Sequence, residues 1–266
     1  MVNLFNENIR HYKMNETYDI KITAGCRGLG SLLWQVIGMG FNHAKFDLSV
    51  TITNSLYTKK PEDNLWDNYF LPINNLNKID YGVQCNDYTY NLNVFNNIHN
   101  KKLWHKFYID RIGFLPDIIN DLDTFYKQYF DNKKILGVHY RSTDIYDEFI
   151  RLKQISERFN KASVIEYFDE IDTLDYDYIY LATDSNIIFD AFNKRYSNII
   201  SCATIRSDNN RGAHYIANDR TKHGKEVLLE TLLMSKCYYL LHGQNNLPAC
   251  VHIMNPDIKF KNLDYK

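Results

Sequence analysis

Apolar and polar positions alternate between strand-like and helix-like periods from residue 18 onward. Residues 18–24 alternate as a half-buried strand does, and residues 31–46 form an apolar helical stretch after a glycine-containing turn at 25–30. The β-branched residues 48–53 then predict a second strand. A strand, a helix and a strand in this order predict two parallel strands, because the helix returns the chain to the same end of the sheet.

A second series of the same kind begins near residue 135. Residues 54–100 are mostly loop and residues 101–130 are predicted to be helical. The predicted strands that follow are 135–140, 178–182, 199–205 and 238–241, and the predicted helices are 163–171, one starting at 187–192, and 224–237. We therefore predict an α/β protein with two Rossmann-like domains, 1–133 and 134–266, divided at the polar run 131–134.

Composition excludes several classes of partner. The 266 residues include 31 basic and 32 acidic side chains with a net charge of −1, so no uniform field attracts nucleic acid or an anionic membrane. The five cysteines have no Cys-x-x-Cys spacing, which argues against a zinc site and a disulfide framework. No apolar run is long enough for an integral membrane segment, and we expect a cytoplasmic protein.

The strand 135–140 ends in a cluster of charged and polar side chains. Arg141 directly follows it, and His139 and Asp144 lie on either side. Ligands of open parallel sheets bind beyond the carboxyl ends of the strands, and a guanidinium presents paired donors that match phosphate oxygens. The other predicted strands bring residues 183–185, 206–207 and 242–246 to the same edge, so we expect an anion site there.

Four segments occur in the same order in a known enzyme family. They are residues 136–145 (LGVHYRSTDI), 180–186 (YLATDSN), 212–246 and 24–35, the last accompanied by NLWDNYF at 64–70. Together they resemble the fucosyltransferases that use GDP-fucose: the α-1,6-fucosyltransferases, the nodulation protein Z group and the protein O-fucosyltransferases. The resemblance spans residues 18–256.

The resemblance implies a fold and a reaction. The fold is that of a GT-B type glycosyltransferase, in which two Rossmann-like domains face each other across a cleft and the second holds most of the donor. The reaction is an inverting, metal-independent transfer of L-fucose from GDP-β-L-fucose to a hydroxyl of a glycan or protein acceptor. Apart from the donor nucleotide sugar, no cofactor and no metal are expected.

The resemblance also implies which residues bind the donor. Glu230 matches an acidic residue that holds guanine, although aspartate is usual there; a carboxylate accepts from both N1–H and N2–H of that base. The remaining donor-binding candidates are His139, Arg141, Asp144, Asp184, Gln244, Asn245 and Asn246, with a glycine-rich loop formed by Gly25, Gly28 and Gly30. The last three donor-binding residues replace serines that the family often uses against phosphate.

The two catalytic candidates are Arg141, for the departing GDP, and a base for the acceptor hydroxyl. In the α-1,6-fucosyltransferases the proposed base is a glutamate shortly after the arginine motif. The matching position is Phe149, which cannot accept a proton, so we nominate the neighbouring Glu148.

Metal binding is not expected from the two Asp-x-Asp sequences. Asp121 and Asp123 lie in a predicted helix, where their carboxylates point to different faces, and Asp175 and Asp177 precede a strand at the end opposite the expected site. Charge on the leaving group must then be met by Arg141, by backbone amides and by further cations. The candidates for this last role are Arg206, Lys222 and Lys225.

Three alternatives stay open on the sequence. Arg141 and Glu230 would recognise GDP and not its sugar, so the donor could be another GDP-sugar. The missing glutamate and the serine-poor loop also fit a non-catalytic nucleotide- or glycan-binding relative. A nicotinamide enzyme is disfavoured because the strand 48–53 ends in Asn54 and Ser55, without an acid for a ribose.

Overall fold

The structure is a computed structural model. It describes residues 17–23, 28–54, 56–76, 78–79, 98–143, 161–203, 205–209 and 211–264.

The first strands form the predicted parallel pair. Strand β1 (Thr17–Thr23), helix α1 (Leu29–Asn42) and strand β2 (Asp47–Thr53) follow one another, and β1 pairs with β2 in parallel over its whole length. Every second residue of β2 is buried, as the alternation of side chains on a half-covered sheet requires. The βαβ prediction is confirmed.

The described residues between the two sheets include a short 3-10 helix and two longer α-helices. A 3-10 helix covers Trp66–Asn68, and helices α2 (Ile98–Arg111) and α3 (Pro116–Tyr129) replace the single helical region predicted for 101–130. The helix breaks because the Gly113 carbonyl accepts from the Leu71 backbone N–H at 2.9 Å and because Pro116, which lacks an N–H, is favoured in a first helical turn.

Five parallel strands form the second sheet. They are β3 (Ile135–Tyr140), β4 (Tyr178–Thr183), β5 (Ile199–Ile200), β6 (Tyr239–His242) and β7 (Lys259–Asn262), in the order β5-β4-β3-β6-β7. The helices are α4 (Val164–Ile171), α5 (Asn186–Arg195), α6 (Ala213–Ile216), α7 (Arg220–Met234) and α8 (Asn246–Met254). Strand β3 is central, and all six of its residues are buried.

Two edge features differ from the prediction. The strand expected over 199–205 pairs only at its first two residues, so the prediction was wrong beyond Ile200. There the Ser201 hydroxyl accepts from Arg206, and the Cys202 sulfur lies 2.8 Å from the Tyr180 hydroxyl, so side-chain contacts replace strand pairing. Strand β7 was not predicted, because its short, lysine-containing sequence has little apolar character, which suits an exposed edge.

Apolar side chains cover both faces of the second sheet. On one face Ile135, Tyr180 and Leu240 belong to a core that also includes residues of α1, α7 and α8. On the other, Leu136 and Val138 pack with residues of α4 and α5. Burial on both faces explains why β3 is a continuous apolar run. The domain division at 133/134 stays a prediction.

No helix in the described ranges combines the length and apolarity needed to cross a bilayer.

Helices α1 and α8 meet at their amino ends. A Cβ atom on Gly30 would lie 2.8 Å from Leu247 Cδ2, 3.1 Å from the Leu247 nitrogen and 3.2 Å from the Asn246 carbonyl carbon. The Cys250 thiol donates to the Gly30 carbonyl at 3.3 Å. Gly30 therefore allows the first turn of α1 to contact the first turn of α8, and each helix directs its positive dipole end toward this junction.

Gly30→Ala should lower the free energy of unfolding by about 1–3 kcal/mol, because the added carbon meets backbone atoms that can move only if the helices separate. Gly28→Ala is the matched control, since its Cβ would approach nothing closer than the Tyr57 hydroxyl at 3.9 Å. Urea unfolding of both variants measures the difference. Equal stabilities would show that the contact between α1 and α8 does not constrain the fold.

Candidate functional site

The carboxyl ends of β3, β4 and β6 meet at one edge of the sheet. Tyr140 pairs with Thr183, and His139 pairs with both Ala182 and His242. Arg141 and Asp184 are therefore the first residues beyond two neighbouring strands. An isolated bridge between Ser185 and Ser207 brings the segment containing Arg206 to the same edge. The predicted convergence of strand ends is present in the structure.

Asp184 organises the turn that follows β3. Its Oδ1 accepts from the backbone N–H of Ser142 at 3.0 Å and of Thr143 at 3.4 Å, and its Oδ2 accepts from the Thr143 hydroxyl. The same Oδ2 lies 3.8 Å from Arg141 Nε, and the Arg141 side chain is 27% exposed. Asp184 thus orients a guanidinium that still reaches solvent, where an anionic ligand can approach it.

His139 is buried directly before this turn. Burial, together with His242 and Arg141, lowers the pKa of His139 to about 3, so its imidazole is neutral at physiological pH. Its Nδ1 is buried and has no hydrogen-bond partner among the described residues. His139 can therefore offer a ligand a neutral ring nitrogen, but it adds no positive charge to the site.

The amide side chains after β6 mainly build the loop itself. The Gln244 backbone N–H donates to Asp264 Oδ2 at 2.7 Å, and Gln244 Oε1 accepts from Asn262 Nδ2 at 3.3 Å. Asn245 caps α8, because its Oδ1 accepts from the Leu247 N–H at 3.1 Å. Asn246 is the first residue of α8. The loop therefore leads into a helix amino end, which favours an anion.

Sequence reasoning missed Asp264, near the end of the chain. Its Oδ1 accepts from the Ala162 backbone N–H at 2.8 Å, while its Oδ2 accepts from Gln244. A Cβ on Gly243 would lie 2.3 Å from the same Oδ2, so any other residue there would displace this carboxylate. The carboxylate ties the loop after β6 to the start of the α4 segment, and no motif around Asp264 signals this role.

Lys161 is a second residue that sequence reasoning missed. Its Nζ lies 5.6 Å from the centre of the Tyr140 ring. Burial lowers the pKa of Lys161, Asp264 and Asp184 oppose that change, and Arg141 reinforces it, so the ammonium shares the electrostatic environment of the strand ends. A lone lysine far from the arginine motif gives no sequence signal.

Glu230 is a buried acid on α7. It is 8% exposed, and its Oε1 has no hydrogen-bond partner among the described residues. Burial raises the pKa of Glu230 from its ordinary value of 4.5 to about 8; Arg206 opposes the rise, and Asp184 and Glu226 add to it. A buried acceptor without a donor is costly, which marks Glu230 as a candidate for ligand binding.

Several predicted site residues cannot be placed, and others contact neighbouring side chains. Asp144, Glu148 and Gly25 lie outside the described residues, as does Phe149. Gly28 is the residue before α1, and Gly30 contacts α8 as described above.

The two lysines proposed for the leaving group have acidic neighbours. Lys225 forms ion pairs with Asp117 at 2.7 Å and with Asp121 at 2.8 Å, linking α7 to α3. Lys222 is exposed and lies 3.8 Å from Glu226. These ion pairs account for the positions of both lysines without a bound ligand, so we do not retain Lys222 and Lys225 as candidates for contacting the leaving group.

Three of the four acids of the Asp-x-Asp sequences have structural partners. Asp121 pairs with Lys225, Asp175 with Lys134 Nζ at 2.7 Å, and Asp177 accepts from the Lys134 N–H at 2.7 Å. The last two acids lie beside the amino ends of β3 and β4, opposite Arg141. Within the described ranges no group of three or more His, Cys, Asp or Glu side chains could hold a metal ion.

Comparison with known proteins relates this fold to fucosyltransferases. No protein-family model and no curated protein sequence matches the chain. Among solved structures, the fucosyltransferase NodZ from Bradyrhizobium superposes with a TM-score of 0.61 at 14% identity, covering 94% of this chain and 97% of NodZ. The chain shares the NodZ fold.

Two further structures contain, or were soaked with, a guanine nucleotide. A NodZ α-1,6-fucosyltransferase soaked with GDP-fucose superposes with a TM-score of 0.58 at 15% identity, covering 93% of this chain and 97% of that chain. A mutant of Arabidopsis thaliana FUT1 in complex with GDP gives a TM-score of 0.50 at 9% identity, covering 92% of this chain and 70% of that one. The predicted resemblance is thus confirmed for the fold.

Glu230→Gln should raise the free energy of unfolding at pH 8 but not at pH 5. The folded-state pKa is raised, so this carboxyl stabilises the fold below its ordinary pKa and loses that contribution as pH rises toward 8, where ionisation favours the unfolded chain. We expect the variant's advantage to grow by about 2–3 kcal/mol between the two pH values in urea unfolding.

Glu62→Gln, the same substitution at an exposed position, is the matched control and should give no such growth. A Glu230→Gln variant whose relative stability does not depend on pH would contradict a raised pKa at this position.

Proposed function

We propose that this protein is an inverting glycosyltransferase that moves L-fucose from GDP-β-L-fucose to a hydroxyl of a glycan or glycoconjugate. The observation that carries the proposal is Arg141, oriented by Asp184 at the end of the central strand in a NodZ-like fold. The donor would lie between two facing Rossmann-like domains, held mainly by the second.

Arg141 is proposed to neutralise the charge that develops on the departing GDP. The glycosidic C–O bond breaks with its electron pair moving to the β-phosphate, so a fixed guanidinium contributes most in the transition state. The amino end of α8 adds a positive dipole, and no metal ion is required in this scheme. Asp184 stabilises the productive orientation of Arg141 through the turn 141–143.

The acceptor hydroxyl is proposed to attack the anomeric carbon from the opposite side. A base removes the hydroxyl proton as the new C–O bond forms, and displacement at a β-linked donor gives an α-fucoside. Glu148 remains our nominee for this base, since it adjoins Phe149, the position that matches the family's glutamate. If Glu148 does not serve, the same fold could bind a nucleotide without transfer.

Glu230 is proposed to bind the guanine base. Its Oε1 already lacks a donor, and guanine offers N1–H and N2–H side by side. Binding these donors favours the ionised carboxylate and so opposes the pKa shift that burial causes. GDP binding below pH 8 would therefore release a proton.

Transfer should occur from GDP-fucose in the presence of EDTA, with little transfer from GDP-mannose. Radiolabelled donors and a panel of oligosaccharide acceptors measure this, and the anomeric configuration of the product tests inversion. Transfer from GDP-mannose alone would reject fucose as the sugar. GDP binding without transfer or donor hydrolysis would instead favour the non-catalytic alternative.

Arg141→Lys should lower kcat on the order of 100-fold or more, because an ammonium cannot present the paired donors that the guanidinium offers to phosphate. Arg195→Lys is the matched control: this arginine pairs with Asp172, and both side chains are more than 40% exposed. Steady-state kinetics with GDP-fucose measures both. An Arg141→Lys variant with the control's kcat would remove Arg141 from the mechanism.

A further inference from the structure

We propose that Arg206 reads the acceptor edge of the nucleotide base, O6 and N7 of guanine, while Glu230 reads the donor edge. This inference rests on the proposed function, which supplies the guanine nucleotide. It adds a specificity-determining residue that the arginine motif does not contain.

Arg206 carries an unsatisfied donor in a fixed position. Its Nε is buried and has no hydrogen-bond partner among the described residues. The guanidinium carbon lies 3.9 Å from the centre of the Phe189 ring, and another guanidinium nitrogen donates to the Ser201 hydroxyl. Stacking and this bond hold the guanidinium plane, so it is organised before a ligand arrives.

The backbone around Arg206 is held by the residues that follow β4. The Arg206 carbonyl accepts from Asn186 Nδ2 at 3.5 Å, and the Ser207 N–H donates to the Asp184 carbonyl at 2.8 Å. Ser207 also forms the bridge to Ser185. The Arg206 segment is thus bonded to the residues that follow β4, including Asp184, which orients Arg141. The candidate for binding the base and the candidate for binding the phosphates are therefore held by the same turn.

Arg206 and Glu230 influence each other without forming an ion pair. Each shifts the pKa of the other, yet among the described contacts no nitrogen of Arg206 lies within 4.0 Å of a Glu230 oxygen. The nearby Tyr180 hydroxyl and Cys202 sulfur already satisfy each other at 2.8 Å. The unsatisfied groups on the two sides are therefore one donor, Arg206 Nε, and one acceptor, Glu230 Oε1.

A ligand that satisfies both groups must present an acceptor next to a donor. Guanine does so, because O6 and N7 accept and the adjacent N1–H and N2–H donate. Adenine keeps the N7 acceptor, but it presents an N6–H donor to Arg206 where guanine has O6, and an acceptor at N1 where guanine has a donor, so it matches the two side chains less well. Arg206 and Glu230 together therefore favour guanine over adenine, because guanine satisfies both side chains and adenine leaves polar atoms without partners.

Titration calorimetry with GDP, 7-deaza-GDP and ADP tests this inference. The 7-deaza analogue keeps N1–H, N2–H and O6 but replaces N7 by carbon, so it removes one acceptor facing Arg206. The wild-type protein should bind GDP about tenfold more tightly than 7-deaza-GDP. Arg206→Met should reduce that ratio to near one, because the methionine side chain has no hydrogen-bond donor.

Arg195→Met is the matched control, since Arg195 also lies over an aromatic ring, at the other end of α5, and should keep the tenfold ratio. Equal binding of GDP and 7-deaza-GDP by the wild type, or an unchanged ratio in a folded Arg206→Met variant, would overturn the inference while GDP binding still supports the proposed function. A wild-type protein that binds none of the three nucleotides would overturn both.

Discussion

The interaction on which the site depends is the contact of Asp184 with the turn after the central strand. One carboxylate accepts from two backbone N–H groups and one hydroxyl of that turn and lies 3.8 Å from Arg141 Nε. Because β3 and β4 are hydrogen-bonded neighbours with Tyr140 opposite Thr183, the partners meet without any long connection. The register of β3 and β4 therefore determines the position of Arg141, and the sheet keeps this residue in place.

Periodicity was sufficient to predict the interior of the fold. The strands β1 to β4 and β6 and the helices α1, α4, α5 and α7 were expected within a few residues, since their apolar positions repeat as burial on one or two faces requires. The same reasoning predicted Arg141 and Asp184, because a polar residue directly after a buried strand must lie at the sheet's edge. It failed at β7, which is a partly exposed edge strand, and after Ile200, where side-chain contacts and not burial determine the backbone conformation.

Contacts between distant parts of the chain could not be predicted in this way. Asp264 accepts from Ala162 and Gln244, and Lys161 shares the environment of Arg141, Asp184 and Asp264. Each is a single charged residue without a motif, and only folding brings it near the strand ends. Asp264 also changes the interpretation of the loop after β6: the Gln244 backbone N–H donates to its carboxylate, and the Gln244 side chain, which was predicted to bind the donor, accepts from Asn262. The amino end of α8 remains as the anion-favouring element there.

Two side chains on the β4–β5 side of the site, Glu230 and Arg206, are unfavourable for folding but suited to binding a ligand. Glu230 and Arg206 each keep an unsatisfied atom in a region where unpaired polar atoms are rare, and burial disfavours the charged form of both. A sequence selected for stability alone would pair them or replace them with apolar side chains. A ligand that supplies the missing donor and acceptor would satisfy both groups, so the free energy lost by burying them unpaired would be recovered as affinity and as discrimination between bases.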